Sequence, residues 1–542
     1  MHNVIKGNLV DIFTDEIYPA DISFSGGKII SVKKSKGPYS DYILPGLIDS
    51  HVHIESSMLT PSAFAELAVK HGTVAVVSDP HEIANIIGLK GINFMIENGE
   101  SVPLKFFFGA PSCVPATDFE CSGARIDAPD IEKLLQRDDI YFLSEMMNYP
   151  GVIRRDKYII KKIGYAKKLN KPVDGHAPGL IGDDLKKYIK EGIYTDHECI
   201  NLSEAEEKIN SGMKIQIREG SAAKSFNTFY KLIDKFPLSV MLCTDDIHPD
   251  DLVAGHINFL LAKGIEKGVN IFNLLRAASL NPALHYKLPV GMLRKGDYAD
   301  MVIVKDLDCF EVIETFINGE KVFSNNSILF QRKVKGINAN FRTEHILERD
   351  IKLTSEGSKI KVMQVNNGDL YTRSRVFKTK VENGYAITDT KRDICKIIVV
   401  NKYHSAKPAL GFITGFGLKK GAIAGSIAHD SHNIIAVGVD DNDILDAVNT
   451  IIDLQGGLAV ASQGEIKKIK LEICGIMTNQ DGVKLAQEYI DLDNLAKELG
   501  SHLTAPFMSL SFMSLLVIPE LKIGDQGLFD VNKFKFTSVF IK

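Results

Sequence analysis

Two histidines near the start of the chain have the spacing of a metal-binding pair. His51 and His53 closely follow an apolar run at residues 43–48. Alternate side chains of a strand point to the same face, so both imidazoles would project from one strand end, where they can hold one divalent metal. The same spacing also occurs at solvated strand tips. The pair alone therefore leaves both interpretations open.

Further imidazole and carboxylate groups stand at the ends of later apolar segments. These are Glu145 after residues 140–144, His176 after 172–175, His197 after 192–196 and Asp245 after 238–244. Helical stretches such as 156–169 and 185–191 lie between these segments, and this alternation predicts a parallel sheet. A parallel barrel carries its catalytic groups at the carboxyl ends of its strands. Four histidines and two carboxylates would then meet around one cavity.

This order of groups resembles the amidohydrolase superfamily of metal-dependent hydrolases. The HEIAN segment at residues 81–85 and the AHDSH segment at 428–432, together with residues 45–58, 144–148 and 174–178, are similar to the bacterial adenine deaminase family. The resemblance runs from the first residues to the C-terminus. It implies an enzyme of purine salvage that hydrolyses adenine to hypoxanthine and ammonia. It also implies a homo-oligomer, which we expect to be a homodimer.

The same resemblance implies the fold class and the domains. We expect an α/β protein whose (β/α)8 barrel of the amidohydrolase type spans residues 45–289. Strand-rich stretches at 1–44 and 290–335 would join into one small, sandwich-like β-domain beside it, although the sequence alone does not pair them. Residues 340–542 mix strands and helices and are expected to form a C-terminal α+β domain. Residues 415–421 superficially suggest a dinucleotide loop, but their glycine spacing is wrong, and we reject that interpretation.

The family pattern also implies how the metals are held. The six expected ligands are His51, His53, Glu145, His176, His197 and Asp245. The first two histidines would bind one metal, the other two a second metal, and Glu145 would bridge them. Many relatives bridge with a carbamylated lysine, but no lysine is adjacent to Glu145, so this carboxylate would bridge directly. A bound metal lowers the pKa of water from about 15.7 toward about 7, and the resulting metal-bound hydroxide would attack the purine.

Asp245 is expected to act as metal ligand and as general base, so Glu145 and Asp245 are the predicted catalytic carboxylates. The neighbouring Asp246 is the alternative base, but strand alternation would turn it away from the metals. Imidazole and oxygen ligands without a paired thiolate favour manganese, iron or zinc. The resemblance favours two ions of manganese or iron in each subunit.

Six further residues are candidates for contacts with the substrate. They are Arg218, Glu219, His81, Glu82, His429 and His432. Arg218 and Glu219 would end the seventh strand and meet purine ring nitrogens, or form a salt bridge at the cavity edge. His81 and Glu82, with Asp79, would bind substrate, orient the ligands, hold an extra metal or only cap a turn. The two C-terminal histidines would belong to a lid, from the same or a partner subunit, or form a structural pair.

Composition narrows the classes of partner. The 542 residues carry a net charge of −4 and a pI near 6.4, so no basic excess favours nucleic acid and a small molecule, here a purine base, is expected. The seven cysteines show no paired spacing, which predicts reduced thiols. The first residues lack a signal-peptide pattern and no apolar run reaches membrane-spanning length. We therefore expect a cytoplasmic protein without a membrane partner.

Two other functions compete with adenine deamination. Another amidohydrolase activity, on a different aminopurine, a cyclic amide or an acyl group, would use the same metals. A non-catalytic binding relative is the least expected outcome, because such relatives usually lose metal ligands and all six are present in this chain.

Overall fold

The centre of the molecule consists of eight parallel strands in two sheets. The computed structural model describes residues 3–541; Met1, His2 and Lys542 lie outside the described residues, the first two at the start of the expected β-domain. The five-strand sheet contains, in spatial order, Leu47–Val52, Thr73–Ser78, Lys105–Ala110, Ile140–Met146 and Val173–Gly175. The three-strand sheet contains Thr195–Asp196, Lys214–Arg218 and Val240–Cys243.

Helices lie between these strands, as the alternation predicted. They are Pro61–Ala68, His81–Ile87, Leu89–Gly99, Ala128–Leu135, Tyr149–Ile153, Lys157–Lys168, Gly182–Lys190, Leu202–Asn210, Phe226–Phe229, Lys231–Lys235, Pro249–Ala254, Ile257–Glu266, Ile271–Leu275 and Asn281–Tyr286. The helix expected at 156–169 begins after Asp156, whose carboxylate caps the amides of Tyr158 and Ile159. The strands they cover are buried on both faces, which explains apolar runs such as Thr73–Ser78.

The two parallel sheets are joined at both edges. Val52 forms a parallel bridge with Asp245. The amide of Asp245 donates to the carbonyl of His51 at 2.9 Å, and the amide of His53 donates to the carbonyl of Asp245 at 3.1 Å. At the other edge the amide of Gly175 donates to Thr195 Oγ1 at 3.1 Å. The first and last of the eight strands are therefore neighbours.

Two glycines allow the close approach of strands that carry ligands. A Cβ on Gly46 would lie 2.3 Å from the side chain of Val74, and a Cβ on Gly175 would lie 2.3 Å from the carbonyl oxygen of Thr195. Both distances are far below van der Waals contact. Glycine is therefore required directly before the strand of His51 and directly before His176.

A flanking eight-strand sheet joins the two strand-rich pieces of the sequence. Its strands, in spatial order, are Ser327–Ile328, Glu320–Ser324, Val312–Ile317, Met301–Val304, Tyr42–Pro45, Asn3–Asp11, Glu16–Ser25 and Lys28–Lys34. The join is the antiparallel pair of Met301–Val304 with Tyr42–Pro45, which continues directly into the strand of His51. The sequence did not determine this pairing, because nothing local links segments so far apart.

The C-terminal region is built on a nine-strand sheet. Its strands are Arg373–Lys378, Lys359–Gln364, Ala409–Thr414, Cys395–Val400, Ile434–Gly438, Ala422–Gly425, Gly457–Ser462, Glu465–Lys470 and, paired beside the second of these, Phe540–Ile541. Two small sheets, of Leu353–Thr354, Tyr385–Ala386 and Val381–Glu382 and of Leu521–Gly524, Gly527–Asp530 and Lys535–Phe536, lie beside it. The helices are Asp441–Leu454, Gly482–Glu498 and Pro506–Ser511. This region mixes strands and helices, as predicted.

The glycine loop at residues 415–421 is held by a carboxylate of the C-terminal region. The amides of Gly415 and Gly417 donate to the carboxylate of Asp393 at 2.6 and 2.9 Å, so this glycine loop binds a side chain of its own region.

Within residues 3–541, none of the helices combines the length and the apolar character needed to cross a bilayer. The domain boundaries at 44, 290 and 340 remain predictions.

Candidate metal centre and active site

The six expected ligands converge at the carboxyl ends of the parallel strands. His51 Nε2 and His53 Nε2 lie 3.2 Å apart, as expected for side chains two residues apart on a strand end. Asp245 Oδ1 lies 3.6 Å from His51 Nε2 and 3.2 Å from His53 Nε2. Asp245 itself has a left-handed backbone with φ of 62°, a conformation that is uncommon outside glycine and asparagine and that often marks functional sites.

Glu145 lies between the two pairs of histidines. Its Oε1 is 3.2 Å from His53 Nε2, while its Oε2 is 2.8 Å from His176 Nδ1 and 3.3 Å from His197 Nε2. Each carboxylate oxygen therefore faces a different pair of imidazoles. This is the arrangement required of a carboxylate that bridges two cations.

The donor set fits a metal centre. All six residues are buried, each at most 5% exposed, and one ring nitrogen in each of His51, His176 and His197 has no hydrogen-bond partner. Groups of three, such as His51 with His53 and Asp245, bring their ligand atoms within 4.8 Å of one another. Imidazole nitrogens and carboxylate oxygens suit manganese, iron or zinc. No lysine lines the cavity at this site among the described residues.

The surroundings of these groups favour the protonation states that bind metal, which are a neutral imidazole and an ionised carboxylate. Burial, with His197 and His53 nearby, lowers the pKa of His51 well below its ordinary value, so its imidazole is neutral and able to bind metal. Burial alone would raise the pKa of Glu145, but hydrogen bonds from His176, His197 and His53 outweigh it and hold that pKa low. The bridging group is therefore a carboxylate.

A second layer of residues orients the first strand. Asp49 accepts from the amide of His51 at 3.2 Å and from the hydroxyl of Thr244 at 2.5 Å. His256 Nε2 lies 3.0 Å from the same carboxylate. Asp49 thus connects the strand of His51 with the segment before Asp245. The sequence does not single out His256, because its proximity to Asp49 depends on chain segments more than 200 residues apart.

Arg218 is directed to the carboxylates of the site. One of its nitrogens donates to both Glu198 and Asp245, and the other donates to Glu198 at 3.0 Å. Burial would raise the pKa of Asp245, but Arg218, together with His53 and His197, outweighs burial and keeps it well below the ordinary value. The guanidinium therefore holds Asp245 ionised and fixes its orientation.

A second group of polar residues surrounds Glu82. His429 Nδ1 lies 3.2 Å from Glu82 Oε1, and Ser56 Oγ lies 3.0 Å from the same oxygen and 2.5 Å from Asp246 Oδ1. Asp246 therefore faces this group rather than the six ligands. Burial, with Glu55 and Asp246 nearby, raises the pKa of Glu82 well above its ordinary value, so Glu82 can retain a proton at neutral pH.

His81 links this group to the metal centre. Its Nδ1 lies 3.2 Å from Asp79 Oδ2 and 3.7 Å from Glu145 Oε1, and its Nε2 lies 3.6 Å from Asp430 Oδ1. Burial lowers the pKa of His81, but Asp79 and Asp430 outweigh this and hold it well above its ordinary value. Two of its contacts are to residues at the ends of the parallel strands, and the third is to the C-terminal region.

Besides Arg218, two further candidate substrate contacts do not line the site cavity. Glu219 pairs with Lys263 and accepts from the amide of Phe226 at 3.3 Å. His432 is buried behind His429, and neither of its ring nitrogens has a hydrogen-bond partner. Neither residue lines the site cavity, whereas His81, Glu82 and His429 do.

The cavity is closed by the C-terminal region. Four apolar side chains of this region, which we call the roof, line it together with the polar groups: Leu370, Phe512, Leu515 and Ile518. The enclosed volume is about 20 Å³, which is room for about one water molecule. The site is thus built by the ends of the parallel strands and by the C-terminal region of one chain.

Several residues of the site were not singled out in the sequence. The cavity is also lined by Glu198 and Asp430, and Glu55 lies near Glu82. In the sequence their only signal is that each directly follows, or lies within two residues of, a named histidine. The four roof residues carried no signal, because apolar side chains in a distant domain look like ordinary core.

Comparison with known proteins agrees with this architecture. The model of the amidohydrolase family matches residues 42–322, and that of the adenine deaminase C-terminal domain matches residues 369–535. The chain is 51% identical to an adenine deaminase of Methanosarcina barkeri, over 99% of both chains. It is 45% identical to an adenine deaminase of Salinibacter ruber, again over 99% of both.

Solved structures are more distant. A β-aspartyl dipeptidase of Fervidobacterium islandicum AW-1 aligns with 61% of this chain and 99% of its own, at 18% identity and a TM-score of 0.47. The family match establishes an amidohydrolase-type fold for residues 42–322, as predicted.

Proposed function

Since the chain belongs to the adenine deaminase family of the amidohydrolases, we propose that it hydrolyses adenine to hypoxanthine and ammonia, a reaction of purine salvage. The observation that carries this proposal is the position of Glu145 between two histidine pairs, in a site that the C-terminal domain closes with His429 and Asp430. A metal-dependent hydrolase needs the first feature. The second belongs to the region that matches the adenine deaminase C-terminal domain.

Two divalent ions fit the six ligands. His51, His53 and Asp245 would hold one ion, His176 and His197 the other, and Glu145 would bind both; manganese or iron is our proposal for their identity. When bound, such ions lower the pKa of water and so supply the nucleophile at neutral pH.

The proposed proton transfers use Asp245 and Glu82. Asp245, held ionised by Arg218, accepts the proton of the attacking water and returns it to the departing amine. Glu82, which retains a proton because it is buried among other carboxylates, donates to a purine ring nitrogen. Opposite pKa shifts on two carboxylates in one site support their assignment as base and acid.

The purine would lie between the metal centre and the roof. His81, Glu82 and His429 line the same cavity and offer donors and acceptors for ring nitrogens, while Phe512 and Leu370 offer apolar surface. This distribution supports His81, Glu82 and His429 as substrate contacts. Arg218 supports the site through Asp245 instead, and Glu219 and His432 have no place in the proposed pocket.

The proposal includes the closed barrel and the assembly expected from the family. The parallel bridge of Val52 with Asp245 and the bond of Gly175 with Thr195 support closure of the two sheets into one (β/α)8 barrel. A homodimer in the cytoplasm remains part of the prediction.

Metal analysis combined with ammonia release tests the function. We expect about two metal equivalents per chain and ammonia from adenine, with cytosine slower by roughly 10⁴ or more because its smaller ring leaves the polar groups of a purine site unpaired. Chelation should abolish activity, and added manganese should restore it. Comparable rates on adenine and cytosine, or full activity without metal, would refute the proposal.

A further inference from the structure

The roof of the cavity separates the metal centre from a larger space. A cavity of about 570 Å³ on the other side shares His197, Glu198 and Leu370 with the site cavity. The larger cavity has many times the volume of the inner one, which has about 20 Å³. Leu370 thus forms part of the partition between them, and its position decides how much space a purine finds beside the metals.

A buried lysine binds the backbone of two roof residues. Lys522 Nζ donates to the carbonyl of Leu370 at 2.8 Å and to that of Phe512 at 3.0 Å. The lysine is fully buried, and none of the described carboxylates lies within ion-pair distance of it. Leu370 and Phe512 are 142 positions apart by their numbering, so Lys522 joins two separate segments of the roof.

The strand of Lys522 makes further contacts with the same segments. Thr372 Oγ1 donates to the carbonyl of Leu521 at 2.7 Å, and Ser514 Oγ donates to that of Ile523 at 2.8 Å. The strand Leu521–Gly524 therefore holds both segments, and Lys522 is the residue that contacts both at once.

Burial of the Lys522 ammonium group is energetically unfavourable, so the need to fill space does not explain why a lysine occupies this position. Burial lowers the pKa of Lys522 to about 7, because an ammonium group is poorly solvated in the interior. A methionine of similar length would avoid this penalty but would leave the two carbonyls without a donor. The amine is thus suited to fixing these carbonyls rather than to filling space.

We propose that Lys522 is a positioning residue that fixes the roof through Leu370 and Phe512 and thereby sets how tightly, and how selectively, the purine is held. The inference rests on the proposed function. Because Lys522 does not contact the six ligands, its loss should weaken purine binding without removing metal. Interactions that serve ground state and transition state equally affect KM and leave kcat nearly unchanged.

The test compares Lys522→Met with Leu370→Ala, which alters the roof directly, and with Lys402→Met as the control. Lys402 is another fully buried lysine of the C-terminal region, but its amine has no hydrogen-bond partner. Metal content, thermal unfolding, kcat and KM are measured for adenine and for 9-methyladenine, which adds one methyl group to the ring.

For Lys522→Met and Leu370→Ala we expect wild-type metal content. The KM for adenine should rise about tenfold, which corresponds to a loss of about 1.4 kcal/mol of binding free energy. The preference for adenine over 9-methyladenine should weaken. Lys402→Met should have the wild-type KM for adenine and the wild-type preference for adenine over 9-methyladenine. Unchanged KM and preference in folded Lys522→Met, or an equal loss in Lys402→Met, would overturn the proposal.

The affinity for hypoxanthine, measured by titration calorimetry, separates this inference from the function itself. Wild-type protein that releases no ammonia from adenine would refute the proposed function. The roof hypothesis would then be judged on affinity: tighter hypoxanthine binding by wild type than by Lys522→Met supports it, and equal binding refutes it. If Lys522→Met does not fold, Leu370→Ala and Lys522→Gln give the same comparison.

Discussion

Arg218 and Asp245 form a buried ion pair in which the guanidinium also binds Glu198. From the sequence, Arg218 was a candidate contact for purine nitrogens or a salt bridge at the cavity edge. Its nitrogens form a salt bridge with the two carboxylates, which orients the proposed base and compensates its charge. The pair explains how Asp245 stays ionised although it is buried beside Glu145 and Asp246.

Replacing Arg218 by glutamine should therefore change the pH dependence of the reaction. Without the cation the pKa of Asp245 rises, and since the base must be deprotonated, the acid limb of the kcat/KM profile should move to higher pH. At neutral pH the rate should fall by about 100-fold. An acid limb unchanged from wild type would contradict the role of this pair. Arg137→Gln, which removes an arginine paired with Asp139 elsewhere, is the control.

Glu145 and Asp245 should differ in what their loss removes. Asp245→Asn keeps an oxygen ligand but removes the base, so we expect near-normal metal content and a loss of turnover of about 10³-fold or more. Glu145→Gln weakens the bridge between the histidine pairs, so metal should be lost on dialysis against a chelator. Metal analysis and ammonia release on both purified variants check this difference. Full activity in either one would show that the roles are misassigned.

The two C-terminal histidines should also differ. His429 contacts Glu82 and lines the cavity, whereas His432 does neither. His429→Ala should raise KM for adenine about tenfold, the equivalent of one lost hydrogen bond of about 1.4 kcal/mol. His432→Ala is the matched control and should stay within about threefold of wild type, because about 0.6 kcal/mol corresponds to that factor. Equal losses in both variants would favour a structural role for the whole segment.

Lys402 should limit stability in a pH-dependent way. Burial lowers its pKa from 10.5 to about 7, so between these values the unfolded chain binds more protons than the folded one, and wild-type stability rises with pH. Below about pH 7 the buried amine of Lys402 is protonated, so the full free-energy cost of burying its charge applies. We expect Lys402→Met to be more stable by about 1 to 3 kcal/mol at or below pH 7, with a smaller difference toward pH 10. Denaturant unfolding at several pH values measures this, and a difference independent of pH would argue against a buried ammonium.

The family and the order of the ligand residues could be predicted from the sequence, because both depend on local patterns. An apolar run followed by histidine or carboxylate indicates a strand end, and parallel strands bring such ends together. The motifs at residues 81–85 and 428–432 indicated the adenine deaminase family, which the relatives confirm. The carboxylate at position 145 also excluded the need for a modified lysine.

Tertiary structure alone decided the direction of each side chain and the neighbours of distant segments. Arg218 reaches Asp245 because Glu198 and Asp245 follow the two strands on either side of its own. His429 enters the site and His432 does not, although they are three positions apart in one motif. The roof depends on Lys522, Leu370 and Phe512, whose approach is determined by packing across the domain. Sequence periodicity reports which face of one element is buried, whereas contacts between elements depend on how the whole chain packs.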